Sequence, residues 1–135
     1  MDIMSIVQGL NWWGVLAATA AAYIVGAIWY QPAVFGTRWM DAQPHRKAPD
    51  DYQNAVPAMI VQVFTTLFTV ILFAVVMGAV GTLSAAILLI LAYVFGTASD
   101  ALFEGKQRTL WYISAGHQVA GLIAIALVLG WAQTW

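Results

Sequence analysis

The chain has no cysteine and very little charge, and each shortage excludes a class of protein. Without cysteine there is no disulfide framework, no thiol chemistry and no cysteine-based metal site. Charged residues make up 8% of the 135 residues, against about 25% in an ordinary globular chain. Five Lys/Arg against six Asp/Glu leave a net charge of −1, without the basic field that a nucleic-acid partner requires.

The usual enzyme motifs are also missing. The sequence contains no His-Glu-x-x-His, no Gly-x-Ser-x-Gly and no Walker-type glycine loop. Its two histidines, His45 in a polar stretch and His117 in an apolar one, do not make a typical zinc site by themselves. We therefore expect no catalytic residue, metal or cofactor, and predict that the protein is not an enzyme.

Apolar residues dominate what is present. They make up 62% of the chain, and the mean hydropathy is +0.80. A soluble domain of this length buries too little surface to hide so much apolar material, so lipid must cover the rest. Stretches at about 11–30, 57–80, 84–104 and 110–132 each reach the length of a spanning helix. The sequence predicts an all-α integral membrane four-helix bundle, a single transmembrane domain over residues 1–135.

The connections between the spans carry local signals. Residues 81–84 predict a short hairpin between the second and third spans, and Gly105 predicts a left-handed residue that closes the third. In the polar stretch 37–56, Pro49-Asp50-Asp51 predicts the start of a short interfacial helix. Residues 1–10 are expected to lie along the other interface, and because they contain no basic region we expect no cleaved signal peptide.

The distribution of the cations predicts the orientation in the membrane. All of them lie either between the first and second spans or between the third and fourth, and these two connections are on the same side. That side is cytoplasmic by the positive-inside rule, so both termini and the short hairpin face outward. The cations are Arg38, Arg46, Lys47, Lys106 and Arg108.

Small residues recur every four positions on two of the spans. The first span carries Gly14, Ala18, Ala22 and Gly26, and the fourth carries Gly116 and Ala120 on one stripe. Small side chains let helix backbones approach closely in lipid. We favour packing within the bundle as the reason, and the alternative is a subunit interface in a homo-oligomer.

Several short blocks resemble a known family. They are Asn11-Trp12, Gly26-Ala27-Ile28-Trp29-Tyr30-Gln31-Pro32, Phe35-Gly36, Trp39-Met40, Gly96, Phe103-Glu104-Gly105-Lys106, Ala115-Gly116-His117-Gln118 and Trp131. With them the chain resembles, over most of its length, the domain of unknown function 1761 family of small bacterial membrane proteins. Members often carry a small residue such as Ser at the position of Gln31. The resemblance implies a four-helix fold, and with it we expect the bacterial inner membrane; it brings no established activity.

Polar residues within the spans predict a site in their cytoplasmic halves, because ionisable groups there are costly and often functional. Counting from the helix ends places Asp100 and His117 at similar depths. The favoured interpretation is that Asp100 bonds locally, Glu104 extends into interfacial water, and His117 is a neutral packing residue bonded to Thr97 or a backbone carbonyl. The alternative, which we put forward as a testable prediction, is that Asp100 and His117 approach each other as a couple that binds or relays protons. The expected pocket, open to the cytoplasm and closed outside, comprises Tyr23, Gln62, Thr97, Asp100, Glu104, His117 and Gln118.

The Trp29-Tyr30-x-Pro32 block also has two interpretations. The favoured one is interfacial anchoring by the two rings, followed by a proline that ends the helix. The alternative is that Trp29, Tyr30 and Pro32 bind a lipid, a quinone or another hydrophobic ligand.

Three functions follow from these readings, all with membrane lipid as a partner. The first in rank is a self-associating structural or accessory subunit without enzymatic activity. The second is a minimal oligomeric transporter or channel lined by Asp100, Glu104 and His117. The third is a binder of a lipid, quinone or other hydrophobic ligand. The apolar outer halves of the spans count against the second, because a conducting path needs a polar lining.

The orientation can be tested directly in a chain that has no cysteine of its own. We expect a cysteine introduced at Ser84 to react with a membrane-impermeant maleimide in intact cells. A cysteine introduced near Ala42 should react only after the membrane is opened, because the cation-bearing loops stay inside. Labelling near Ala42 in sealed cells would show that the predicted orientation is inverted.

Overall fold

Long apolar helices account for most of the computed structural model, which describes residues 2–42, 55–103, 105 and 108–134. Four helices in this part are long and apolar enough to cross a membrane, which confirms the predicted all-α fold with four helices of spanning length. A π-helical turn, Pro32–Gly36, precedes the third helix. The helices are α1 Ile3–Gln8, α2 Trp12–Trp29, α3 Thr37–Ala42, α4 Ala55–Val80, α5 Thr82–Phe103 and α6 Arg108–Ala132.

The connections are tighter than the sequence predicts. Gly81 alone joins α4 to α5, in place of a hairpin over residues 81–84. It has a φ of 89°, a left-handed conformation that lets the chain reverse within one residue. Gly105 also takes the predicted left-handed conformation, with a φ of 65°. The interfacial helix predicted at Pro49-Asp50-Asp51 lies outside the described residues.

The spanning helices α2, α4, α5 and α6 run alternately up and down, so the bundle has two distinct ends. The termini end holds Asp2, Gly81 and Thr134, and the loop end holds Ala42 and Gly105. The short helix α1 packs against α4 at the termini end. The sequence predicts that the loop end is cytoplasmic.

The closest helix pair is α2 with α6. A Cβ built on Gly14 would lie 2.6 Å from Cβ of Ala132, and one built on Gly26 would lie 2.8 Å from Nε2 of His117. Between them, Ala18 is fully buried and Ala22 is buried. The stripe of small residues therefore lies against the chain's own α6, and close approach of the two backbones explains why larger side chains are absent from it.

Hydrogen bonds hold both ends of this pair. At the termini end, Nδ2 of Asn11 donates to the carbonyl oxygen of Ala132 over 3.1 Å, and Oδ1 accepts from the Gly14 N–H over 3.2 Å. One amide thus caps the start of α2 and satisfies a carbonyl at the end of α6. Near the loop end, Nε1 of Trp29 donates to the carbonyl oxygen of Ile113 over 2.9 Å.

The apolar core is concentrated at the termini end. Its fully buried side chains include Val15, Val70 and Phe73, joined by Leu122 and Leu129. The part of α4 nearer the loop end contributes little, because its side chains at positions 59–64 are all exposed. The bundle is thus closely packed at the termini end and opens beside α4 toward the loop end.

The close contact between α2 and α6 predicts an asymmetric response to larger side chains. We expect Ala18→Leu to destabilise the fold by about 1–3 kcal/mol, since the fully buried Ala18 has no space for three more carbons. Ala20→Leu is the matched control, because Ala20 is exposed on the same helix. Unfolding in detergent, followed by circular dichroism, measures both. Equal stability of the two variants would contradict the observed packing.

Candidate functional site

His117 is the one buried polar side chain in the part of the chain that the structure describes. It lies on α6 where that helix faces the end of α2, and the absent side chain of Gly26 leaves room for the imidazole. The Tyr30 ring meets the imidazole edge-on, with ring centroids 5.1 Å apart and an interplanar angle of 67°. The contact with α2 therefore fixes the position of His117.

An aromatic cluster of Trp29, Tyr30, Phe35 and Trp39 surrounds this contact at the loop end. Trp29 packs on Phe35 with centroids 4.6 Å apart, and Tyr30 meets Trp39 edge-on at 5.6 Å. The Tyr30 side chain is also hydrogen-bonded to that of Ser114. Because these rings contact one another and α6, the predicted binding of a hydrophobic ligand against Trp29 and Tyr30 would have to displace contacts made by the chain itself.

The π-helical turn brings Phe35 and Trp39 back onto α2. It begins at Pro32 and includes an i→i+5 bond in which the Gly36 N–H donates to the Gln31 carbonyl oxygen over 2.9 Å. Gly36 is required here, since any Cβ would collide with the carbonyl oxygen of Tyr30. Pro32 therefore ends the spanning helix and starts the turn that completes the aromatic cluster.

Beyond His117 lies a cavity of about 440 Å³, which we name the bundle cavity. All four spanning helices line it, so it lies inside the bundle. Its polar lining residues are Gln62, Thr65, Thr66, Thr69, Tyr93, His117 and Gln118, and its apolar ones are Ala22, Leu72, Leu89, Ala92, Gly121, Leu122 and Ile125.

Several polar groups in the bundle cavity have no partner among the described residues. The hydroxyls of Thr65 and Thr69 donate to carbonyl oxygens of their own helix, over 3.0 and 2.8 Å. The side chains of Gln62, His117 and Gln118 make no hydrogen bond within the described part. None of their polar atoms is sealed off, because every fully buried side-chain N or O described has a partner. These groups are available to whatever fills the cavity.

The structure brings together part of the predicted polar pocket. Gln62, His117 and Gln118 line the bundle cavity, whereas Tyr23 and Thr97 are not among its described lining residues. The Thr97 hydroxyl donates to the Tyr93 carbonyl oxygen over 2.8 Å and accepts from Nε1 of Trp111 over 3.1 Å. Glu104 lies outside the described residues.

The structure shows no bond between Asp100 and His117 among the residues that it describes. The Asp100 side chain is exposed on α5, whereas His117 is buried against α2, and no ion pair joins them in the described part. Counting residues from the helix ends gives the depth of a side chain but not the direction in which it points. The bond from His117 to Thr97 is not formed either, since the Thr97 hydroxyl is taken by Tyr93 and Trp111.

Sequence reasoning missed the threonines and the tyrosine of the cavity. Gln62, Thr65, Thr66 and Thr69 lie at positions i, i+3, i+4 and i+7, which places them on one face of α4. That spacing could have identified a polar face on an otherwise apolar helix. No comparable spacing distinguishes Tyr93.

The two predicted packing residues of α6 differ in their surroundings. Gly116 lies beneath the Trp29 ring, since a Cβ there would come within 2.7 Å of Cζ2. Ala120, one turn further, is only partly buried.

A second cavity, of about 510 Å³, lies at the termini end beneath α1. It is larger, but the polar side chains that line it are already bonded or exposed. The Ser5 hydroxyl donates to the Asp2 carbonyl oxygen over 2.7 Å, and the Asn11 amide is bonded at both of its atoms. Gln133 is exposed. The smaller bundle cavity is therefore the better candidate site.

A family model described as protein of unknown function (DUF1761) matches residues 13–130. The matched range includes every described residue that lines the bundle cavity. No curated protein and no solved structure matches the chain.

The position of the His117 imidazole depends on the missing side chain at position 26. We expect Gly26→Ala to lower stability by about 1–3 kcal/mol, because the new Cβ would lie 2.8 Å from Nε2 and push the ring away from Tyr30. The better helix propensity of alanine offsets up to about 1 kcal/mol of this loss. Thermal unfolding and the NMR shift of the His117 Hε1 proton measure the two effects. Gly96→Ala is the control, with nothing within 4 Å. An unmoved proton signal in Gly26→Ala would contradict the contact.

Proposed function

The chain belongs to the family described as protein of unknown function, DUF1761, and from its own residues we propose that it binds a small amphipathic molecule inside the membrane. The binding site is the bundle cavity, with the polar groups of Gln62, His117 and Gln118 holding the polar part of the ligand. This is the third of the functions that the sequence suggests, the binding of a hydrophobic ligand. The proposed site is the bundle cavity instead of the Trp29-Tyr30-x-Pro32 block. The role is binding without catalysis.

The observation that supports this proposal is the state of His117. Its side chain is 8% exposed, faces the cavity, and has no hydrogen-bond partner among the described residues. Because its polar atoms are not sealed off, a ligand or an ordered water in the cavity can form hydrogen bonds with them. Polar side chains at this depth in a membrane protein are functional candidates.

Packing at the termini end favours binding over conduction. Val70 and Phe73 are fully buried there, and Leu122, Ile125 and Leu129 pack with them. This apolar plug lies between the bundle cavity and the termini end, whereas a conducting path needs a polar lining or a dewetting gate. Asp100, one of the residues that the transporter hypothesis requires, is exposed on α5 rather than in the cavity.

Self-association is a second proposal. It is supported by a face of α5, whereas the sequence suggests the stripe of small residues on α2. The stripe on α2 is occupied by α6, so a second copy cannot use it without opening the bundle. On α5, Ala92 and Gly96 are exposed one turn apart, and a Cβ on Gly96 would meet no atom within 4 Å. Such a pair permits close approach of another helix. The mass of the purified particle measures this separately from ligand binding.

Filling the cavity tests the proposed function. Gly121 lines the cavity, and a Cβ there would meet no atom within 4 Å. We therefore expect Gly121→Leu to fold normally while its new side chain occupies the space of the ligand. Ala20→Leu is the matched control, because it places the same side chain at an exposed position of α2 that does not line the cavity.

Each protein is to be extracted in native-lipid discs and its bound small molecules identified by mass spectrometry. The wild type and Ala20→Leu should retain a common small molecule, and Gly121→Leu about tenfold less of it, corresponding to roughly 1.4 kcal/mol of lost affinity. Equal content in all three proteins, or no enriched molecule in the wild type, would refute binding in the cavity.

A further inference from the structure

The bundle cavity is polar at one end and apolar at the other. It follows α4 from Gln62 to Leu72, a length of about 15 Å at 1.5 Å per residue. Because α5 runs opposite to α4 and α6, the change from polar to apolar lining residues has the reverse sequence order along α5, where Leu89 comes before Tyr93. The end nearer the loops holds Gln62, Tyr93, His117 and Gln118, and the end nearer the termini holds Leu72, Leu89, Leu122 and Ile125.

No described residue that lines the cavity carries a permanent charge. The lining residues that the structure describes include no Asp, Glu, Lys or Arg, and His117 is the one basic side chain among them. An ionic head group entering it would lose its hydration without meeting a counter-ion, which is expensive at this depth. By contrast, the Gln62 and Gln118 amides can each both donate and accept hydrogen bonds. The lining is thus complementary to an uncharged group that carries oxygen atoms.

The cavity opens sideways between α4 and α5. Gln62 and Thr65 on α4 and Ala92 on α5 line it and are exposed at the same time, so the two neighbouring helices form the rim of an opening. Further toward the loop end, the space beside Gly96 is also unfilled. At membrane depth this opening faces lipid tails.

We infer that the ligand is an uncharged amphiphile of the bilayer that enters between α4 and α5, with its head toward the loop end. This inference rests on the proposed function and adds the ligand class and the route. A volume of about 440 Å³ is at the small end of ligand sites, so the cavity takes the head and the first part of the chain. The rest of the chain leaves through the opening into the leaflet at the loop end. The required chemistry is a carbonyl or hydroxyl head on an apolar tail, as in quinones and diacylglycerols.

A panel of three lipids tests the ligand class with the full chain in phosphatidylcholine discs. Decylubiquinone and dioleoylglycerol supply the two sources of an uncharged head, and dioleoylphosphatidic acid supplies a charged head on the same tails as dioleoylglycerol. We expect at least one uncharged lipid to raise the midpoint of thermal unfolding by several degrees in a concentration-dependent way, because it binds only the folded protein. The lipid that does so identifies the source. The charged lipid should leave the midpoint unchanged.

A bulky side chain at the opening tests the route. Ala92→Trp should weaken binding of the stabilising lipid about tenfold, since the indole occupies the opening. Ala20→Trp is the matched control, an exposed alanine at mid-span on α2 that does not line the cavity, and its affinity should equal that of the wild type. Gln62→Leu, another exposed change at the rim, should weaken binding by removing an amide from the head-group end.

The outcomes separate the inference from the proposed function. Stabilisation by phosphatidic acid alone would overturn the uncharged class, and undiminished binding in Ala92→Trp would overturn the lateral route. A wild type that retains a small molecule yet responds to neither uncharged lipid would overturn the inference while leaving the cavity as a binding site. Retention of a molecule that Gly121→Leu does not displace would refute the proposed function itself.

Discussion

The close approach of α2 and α6 is the contact on which the other features depend. Glycine and alanine at four-residue intervals bring the two backbones together, and the bonds from Asn11 and Trp29 fix how far one helix is shifted along the other. Because α2 and α6 pack so closely with each other, α4 and α5 complete the bundle mainly at the termini end. Toward the loop end, the space between α4, α5 and the α2–α6 pair is not filled, and this space is the bundle cavity. Close packing on one side of the bundle thus accounts for the space on the other.

His117 lies between the close α2–α6 contact and the bundle cavity. One face of the imidazole is held by Gly26 and Tyr30, and the ring also lines the cavity. Some of the blocks that carry the family resemblance contribute to the position of this side chain. Gly26 makes room for it, Trp29 and Gly116 set the helix contact beside it, and the turn at Gly36 closes the aromatic cluster around it. This arrangement places a polar group at membrane depth with little freedom to turn away from a ligand.

Much of the fold could be predicted from the sequence, and less of the site. The spanning helices follow from the length of the apolar stretches, and the left-handed residues at Gly81 and Gly105 follow from the backbone freedom of glycine. The depth of a residue along its helix can also be predicted from the sequence. Gln62 and His117 are expected at similar depths, and both line the bundle cavity. Depth does not say whether Asp100 faces His117, because the face that a side chain occupies depends on how the helices are rotated against one another. That rotation is set by pairwise packing, which a single sequence does not show.

The one-residue link at Gly81 has a mechanical consequence for the α4–α5 pair. With no slack between them, the two helices cannot slide lengthwise at that end, so any relative motion there is a rotation about a pivot. The 22 residues of α5 make a lever about 33 Å long, and a tilt of about 10° at the pivot would move its far end by about 6 Å. The displacement would be smallest beside Gly81 and largest at Phe103, where α5 ends. A relative tilt of α4 and α5 would therefore widen the distance between them at the loop end and leave it almost unchanged at the termini end.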